Sequence, residues 1–547
     1  MKTRHGFLRA TFSLLTPLIC AACGGGSGSG PDGSGPLPPP AVPPVFSTST
    51  AVRVSQVTPF ASGCLSVPGG ATVYVNSEVE PHLAIDPSDS NHLVAAWQQD
   101  RLSDGGARGL VTAVSVDGGT SWTGLRASPF SQCAGGDFAR VSDPWMSIYG
   151  STAIQVGIAF TGGVRSTVLA SRSVDGGFSW GAPVQLINDD AALYFNDKES
   201  VTIDPTDPEL VYAVWDRLEG DDRGPTILVR SVDGGISWSP PTAIYDPGPG
   251  GRQTIGNVIV VTSDGTVIDF FTKLEPSATV LGQTNASLAM IRSLDKGLTW
   301  SEPVHIADLL PVGTRLRTTP RLGVRAGEII GAFAADPQDG TLYAVWQDSR
   351  FSGGSHDSIA MAWSQNGGVT WSEPLAVNAD TTVPAFTPTL AVLPDGTLAV
   401  AYYDFRETGT AEFQPTDFWL ALSRDRATWH ETRLAGNFDM RNAPNASGLF
   451  VGDYQGLVGQ GSAVVALYAR INNGNSSNRT DVYADRLDSS SLIAGRGTTS
   501  RKVGKLVLPD WNPAAQERVG RHLTEIRAMR RRQWQQWLKT IESPGTD

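Results

Sequence analysis

S-V-D-G-G-T-S-W at Ser115–Trp122 is met again as S-V-D-G-G-F-S-W at Ser173–Trp180 and S-V-D-G-G-I-S-W at Ser231–Trp238. It returns as S-L-D-K-G-L-T-W at Ser293–Trp300 and S-Q-N-G-G-V-T-W at Ser364–Trp371. A worn copy, S-R-D-R-A-T-W, starts at Ser423 and ends at Trp429. The key residues are Asp117, Asp175, Asp233, Asp295, Asn366 and Asp425, spaced by subtraction at about 58, 58, 62, 71 and 59 residues. That is the length of one supersecondary unit that must stack on copies of itself. Each copy reads as a turn between two strands. The Asp accepts backbone N–H groups ahead of it, the following Gly supplies a positive φ, and the Trp brings a large buried surface to the next strand. The box is therefore a folding device before it is anything else.

The octapeptide resembles the Asp-box, or BNR repeat, of the sialidase-like β-propellers, over about four hundred residues from about Thr50 to Leu487. The resemblance implies an all-β fold. It does not choose a function, because Asp-boxes occur in sialidases, other glycosidases, sorting receptors and assembly factors.

A four-strand grammar surrounds each box, for example His82–Asp86, His92–Gln98, Leu110–Ser115 and a strand from Trp122. A further unit, Gln455–Val458, Ala463–Tyr468 and Asp481–Asp485, has no box and no fourth strand, and Ala51–Val57 is the segment expected to supply it. The expectation is a seven-bladed β-propeller whose N-terminal strand closes the last blade, removing exposed sheet edges. Six blades with an extra hairpin is the alternative.

The first residues read as an export signal. Lys2, Arg4 and Arg9 precede a short apolar run, Phe12–Ile19, and Ala21–Ala22–Cys23 leads into a Gly/Ser tether. This resembles a bacterial lipoprotein signal and implies lipid on Cys23, with plain secretion as the alternative. Expected divisions are 1–23 signal, 24–48 flexible Gly/Ser/Pro-rich linker, 49–490 propeller, and 491–547 linker and helix. The localisation that follows is exported and lipid-anchored to a bacterial membrane, periplasmic or at the cell surface. Cys64 and Cys133 remain, and an exported chain with two cysteines favours a disulfide. The net charge of −12 argues against nucleic acid held by its phosphates. A monomer is expected.

At the C-terminus, Pro513–Ile541 reads as a helix with Asn512 as N-cap. Val519, Leu523, Ile526, Trp534, Trp537, Leu538 and Ile541 fall at helical spacing, and Arg527, Arg530, Arg531 and Arg532 make the helix basic. Docking on the outside of the acidic propeller is the first expectation; attraction to an anionic membrane is the other.

In a propeller the starts of the inner strands and the ends of the second strands share one face, and the boxes mark the opposite one. Inner-strand starts offer Glu80, Asp143, Asp197, Glu199 and Asp453, in E-P-H-L, S-D-P-W, N-D-K-E-S and G-D-Y-Q-G. Second-strand ends carry a recurring tag, W-Q-Q-D-R, W-D-R, W-Q-D-S-R and Y-Y-D-F-R, which reads as structural ion pairing between blades. Arg315, Arg317, Arg321 and Arg325 cluster farther on.

The sialidase resemblance implies a Tyr nucleophile activated by a Glu, an Asp acid and an arginine clamp for a sugar carboxylate. Carried onto this chain, Tyr454 and Glu199 form the pair, Asp143 is the acid, and Arg317 or Arg321 is a clamp. Asp197, Asp453 and Glu80 are further substrate-binding candidates. The family's R-I-P motif is absent, and the first inner strand brings Glu80–Pro81–His82 instead of an arginine. A glycosidase using two carboxylates is a second reading. A non-catalytic module that binds a glycan, glycoprotein or divalent cation is a third. No cofactor is expected and no metal ligand set is assigned, although an oxygen-rich mouth suits Ca²⁺.

Overall fold

The protein is described from a computed structural model. It covers residues 51–65, 70–161, 165–220, 223–407, 409–410, 412–488, 499–502 and 511–539. The signal, Cys23 and the 24–48 linker lie outside the described residues, as does Ile541.

Strands recur in antiparallel sets of four. The first is Val73–Asp86, Asp89–Leu102, Ala107–Ser115 and Thr123–Ala127. The second is Arg140–Tyr149, Thr152–Thr161, Arg165–Ser173 and Val184–Asp190. Tyr194–Ile203, Val211–Glu219, Thr226–Ser231 and Thr242–Tyr245 follow, then Arg252–Val261, Val267–Pro276, Thr284–Ser293 and Val304–Leu309. Next come Ala332–Ala335, Leu342–Asp348, Ser358–Ser364 and Leu375–Ala376, and then Ala385–Val392, Leu398–Asp404, Pro415–Ser423 and Thr428–Asp439. The last set is Gly456–Gln460, Ala463–Ile471 and Thr480–Asp488, and its fourth strand is Val52–Arg53 from the N-terminal end, with Val52 opposite Ala484. The first strand of each set packs on the first strand of the next, and Gly456–Gln460 returns to Val73–Asp86. This is a closed ring of sheets with the first strands inside, the arrangement of a β-propeller.

The second strands are buried on both faces, so they read as continuous apolar runs; Leu398–Asp404 is buried at every residue. Trp97, Trp215 and Trp346 on these strands are fully buried between sheets. Their indole N–H groups donate to Gln99, Asn196 and Asp348 at 3.0, 2.8 and 2.8 Å, which satisfies the one polar atom each ring carries inside. The boxes turn between third and fourth strands. Asp117 Oδ1 accepts from the backbone of Thr120 and Ser121 at 3.1 and 2.9 Å and from the Ser115 hydroxyl at 2.8 Å. The bonds from the residue four ahead and from the preceding Ser repeat at Asp175, Asp233, Asp295 and Asn366. Asp425, in the shortened copy, accepts from Ala427 and Thr428. Each box leans on the neighbouring set: the Gly176 carbonyl meets His92 Nε2 at 2.8 Å. Cys64 and Cys133 are joined by a disulfide that spans 69 residues and ties the segment before the first set to the connection between the first and second sets.

The only α-helix among the described residues is Pro513–Lys539. Asn512 caps it, its side chain accepting from the Ala515 N–H at 3.0 Å. Its buried stripe is Ala515, Val519, Leu523, Ile526, Arg530 and Trp534. The helix does not lie on the outer wall, as the sequence suggested. It crosses the face that carries the starts of the inner strands, because that is where an apolar stripe and acidic partners meet it. Arg518 reaches the Gly354 carbonyl, Thr524 meets Thr284, and Trp534 Nε1 donates to the Ala191 carbonyl at 2.7 Å. No helix among the described residues is long and apolar enough to cross a membrane.

Candidate functional site

The site begins with an irregularity repeated from strand to strand. The pairing of first with second strands slips between Val79 and His82, Ser142 and Trp145, Asp197 and Ser200, Ile255 and Val258, and Phe386 and Thr389. Each slip is a β-bulge, which bends a strand and re-aims a side chain. At these bulges Glu80, Asp143, Lys198, Gly256 and Thr387 have φ of 53°, 53°, 51°, 68° and 50°. Four of the five are not glycine, and such conformations cost about 1–3 kcal/mol each. Strain repeated at equivalent places is a sign of a site held by the surrounding ring.

The bulges send charged groups to the axis. Lys198 Nζ contacts Glu80 at 3.1 Å, Asp453 at 2.8 Å and Asp143. Arg325 holds Asp453 through two bonds, at 2.6 and 3.2 Å. Arg101 Nη1 lies 2.6 Å from Gln98 and 3.5 Å from Ser142. Glu80, Asp143, Asp453, Lys198 and Arg101 are all buried. Three cations thus face three carboxyls. Burial alone would lower the Lys198 pKa, but Asp143, Asp453 and Glu80 hold it well above its usual value. Burial would likewise raise Asp453, but Arg325 and Lys198 hold it well below the carboxylate range. Glu80 is pushed up to about 7 by burial and by the Asp143 charge.

Glu199 stands outside this balance. It is 2% exposed, and neither carboxyl oxygen has a hydrogen-bond partner. Burial, and then the charge on Asp143, raises its pKa well above the ordinary glutamate value. It shares a cavity of about 130 Å³ with His82, Trp145, Tyr454, Asp143, Lys198 and Asp453. His82 is tilted on Trp145 at 4.1 Å and accepts from the Met146 N–H. Burial lowers its pKa to about 3, which keeps it neutral. The Tyr454 ring meets Trp145 edge-on at 5.5 Å, and its hydroxyl donates to the Pro144 carbonyl at 3.1 Å rather than to Glu199. Burial and four nearby carboxyls raise the Tyr454 pKa, so the phenol stays protonated.

A second cavity of about 120 Å³ lies between this cluster and the helix, lined by Arg101, Asp197 and Arg325 on one side and Ile526, Met529 and Arg530 on the other. Lys198, Asp143 and Asp453 line both cavities and separate them. Arg530 donates to Asp197 at 2.9 Å and Asp216 at 2.8 Å. Burial and Asp197 raise Asp216 to about 8 despite Arg530.

Of the residues singled out from sequence, Glu80, Asp143, Glu199, Asp453 and Tyr454 come together. Asp197 turns to the helix instead. Arg317 and Arg321 do not reach the cluster. Arg317 donates to the Phe405 carbonyl at 2.9 Å, and Arg321 is exposed. Arg325 of the same cluster holds the central acid. Pairing in the second-strand tags is mostly local: Arg350 binds Asp348, and Arg406 binds Asp404 and Glu431. Arg217 and Arg350 reach back to the preceding set, Arg217 to Asp189 at 2.7 Å and Arg350 to the Asp308 carbonyl at 2.6 Å. The cation at the centre of the acidic mouth is Lys198. It lies within the N-D-K-E-S stretch, where no local pattern sets it apart. The missed signal was Pro81, Pro144 and Pro388, each directly after a left-handed residue; proline inside a central strand marks a bulge.

No protein-family profile matches the chain. Solved structures with a similar course include a protein of unknown function from Dyadobacter fermentans, 15% identical, covering 82% of this chain and 99% of that one at a TM-score of 0.44. An α-L-arabinofuranosidase from Fusarium graminearum is 10% identical, covering 82% and 99%, at 0.43. A Trypanosoma rangeli sialidase is 12% identical, covering 63% and 54%, at 0.37. At scores below 0.5 these likenesses transfer no site.

Proposed function

We propose that this protein is an exported, sialidase-like Asp-box propeller of seven blades that engages extracellular glycans, and that it hydrolyses them with Glu199 as the acid and Asp143 as its carboxylate partner. The observation that carries the reading is the contrast between two carboxyls in one cavity. Glu199 is buried and unpartnered and burial raises its pKa, whereas Asp143 is held by Lys198. Environments that drive neighbouring carboxyls into different protonation states are how acid and anion roles are divided in glycoside hydrolysis. Trp145 and Tyr454 supply the aromatic wall against which a sugar ring packs. The Cys64–Cys133 disulfide supports an oxidising, extracytoplasmic setting, and lipid on Cys23 would hold the protein to the membrane.

A second reading is a non-catalytic glycan-binding propeller. It is favoured by Lys198, which engages three carboxyls at once, and by the helix across the mouth. A panel of aryl glycosides and native polysaccharides separates the two. Hydrolysis predicts turnover by the wild type and a loss of at least about 10²-fold in Glu199→Gln and Asp143→Asn, with Tyr454→Phe close to wild type. An equal loss in Tyr454→Phe would move the nucleophile to the tyrosine. No turnover with glycan binding retained would establish the binding module.

A further inference from the structure

We infer that the depression beside the N-terminal half of the helix binds an acidic oligosaccharide, one carrying uronate carboxylates or sulfate esters. The inference rests on the glycan reading above and adds to it the ligand's charge and a second place of contact. The depression has a volume of about 520 Å³ and lies between the helix, the 312–317 segment and the loops at 354–356 and 382–384. That is the size of a site for a few sugar rings.

Its lining inverts the charge of the molecule. The chain carries −12 overall, yet four guanidinium groups, Arg315, Arg317, Arg518 and Arg521, face the depression against one lining carboxylate, Glu525. Three of the four have no neutralising partner. Arg518 is oriented by the Gly354 and Gly353 carbonyls at 2.8 and 3.3 Å, and Arg317 by the Phe405 carbonyl. Carbonyls fix the direction of a guanidinium without cancelling its charge. Arg315 is exposed and has no ion-pair partner among the described residues. Arg521 pairs with Glu517 on the helix surface. Asp380 stands near Arg317, but its Oδ1 accepts from the Thr382 N–H and hydroxyl.

Guanidinium groups with free in-plane donors match carboxylate and sulfate oxygens in pairs. A concave basic patch on an acidic body favours a short, local anion. A flat anionic bilayer cannot enter the concavity and would meet the repulsion of the surrounding acidic surface, whereas a glycan strand can enter it. The helix joins the two places, since Arg518 and Arg521 line this depression while Met529 and Arg530 line the cavity above the central cluster.

The test uses the full chain and four immobilised probes: polygalacturonate, heparin, neutral dextran, and vesicles containing phosphatidylserine. Binding is expected to polygalacturonate or heparin and not to dextran; binding to polygalacturonate identifies the carboxylate, and binding to heparin alone, which carries both groups, identifies the sulfate. Arg315→Glu/Arg317→Glu should weaken it at least about tenfold. Glu199→Gln and the charge-matched Arg126→Glu/Arg424→Glu should leave it unchanged. Thermal melting checks that the variants fold, and Arg315→Ala alone, at an exposed position, gives a smaller loss in the same direction. Equal binding by both double variants overturns the proposal, as does tighter binding to vesicles than to either polymer, or no polymer binding at all. Loss in Glu199→Gln alone would place the glycan at the central cluster and leave that reading standing while this one falls.

Discussion

Replacing Lys198 with methionine keeps an unbranched side chain one atom shorter and removes the cation from among three buried carboxyls. Removing one partner of a buried ion pair costs about 3–5 kcal/mol, because the partner is left charged in a poor solvent. Here Glu80, Asp143 and Asp453 all lose the same partner, so the upper part of that range is expected at pH 8. The loss must depend on pH. Lys198 lowers the pKa of both Glu80 and Asp453, so without it their folded-state values rise. A carboxyl whose folded pKa lies above its unfolded value contributes stability that is full below the unfolded value and is lost as pH rises through the folded one. Glu80 already sits at about 7 with the lysine present. The penalty should therefore be largest at pH 8 and shrink toward pH 4, where Glu80 is protonated in the folded protein with or without the lysine. Urea unfolding of both proteins at the two pH values measures it. A difference under about 1 kcal/mol at pH 8, or the same difference at both, would refute a buried cluster held by this ammonium.

Glu199→Gln should act in the opposite sense. Because burial raises Glu199, the wild type loses about 1.4 kcal/mol per pH unit above the ordinary glutamate value until the folded group ionises. The variant's urea midpoint should therefore exceed the wild type's at pH 8 and match it near pH 4. Removing both cysteines opens a loop with a separation of 69 residues and should cost about 4 kcal/mol, seen as a lower urea midpoint that reductant reproduces in the wild type. Arg530→Ala leaves Asp216 and Asp197 without their cation beneath the helix and should weaken helix docking by about 3 kcal/mol. Limited proteolysis should then release the C-terminal segment before the ring is cut, and indistinguishable digestion would count against docking through this arginine.

The ring was legible in the repeats, because each box carries its own explanation. A Ser, an Asp and a Gly make a turn from local hydrogen bonds alone, and the bonds at Asp117 and Asp233 are made within seven residues of chain. The acids at the inner-strand starts were legible as well, since the grammar of the repeat fixes which residues begin each inner strand. Lys198 was not, because its importance comes from Glu80 and Asp453, 118 and 255 residues away. Arg325 was chosen over Arg317 and Arg321 by the parallel pairing of Val324–Arg325 with Leu449–Phe450, which brings it to Asp453 and which no local pattern encodes.

Periodicity along the chain is a short-range property, and it determined the sheets, their turns and the helix with its Asn512 cap. What tertiary structure decided is where unlike charges meet. Burial raised the Glu199 pKa, three acids met three cations at the axis, and Arg530 was drawn into an apolar stripe between Ile526 and Trp534. Those outcomes depend on distance and on exclusion of water, and both exist only once the ring has closed.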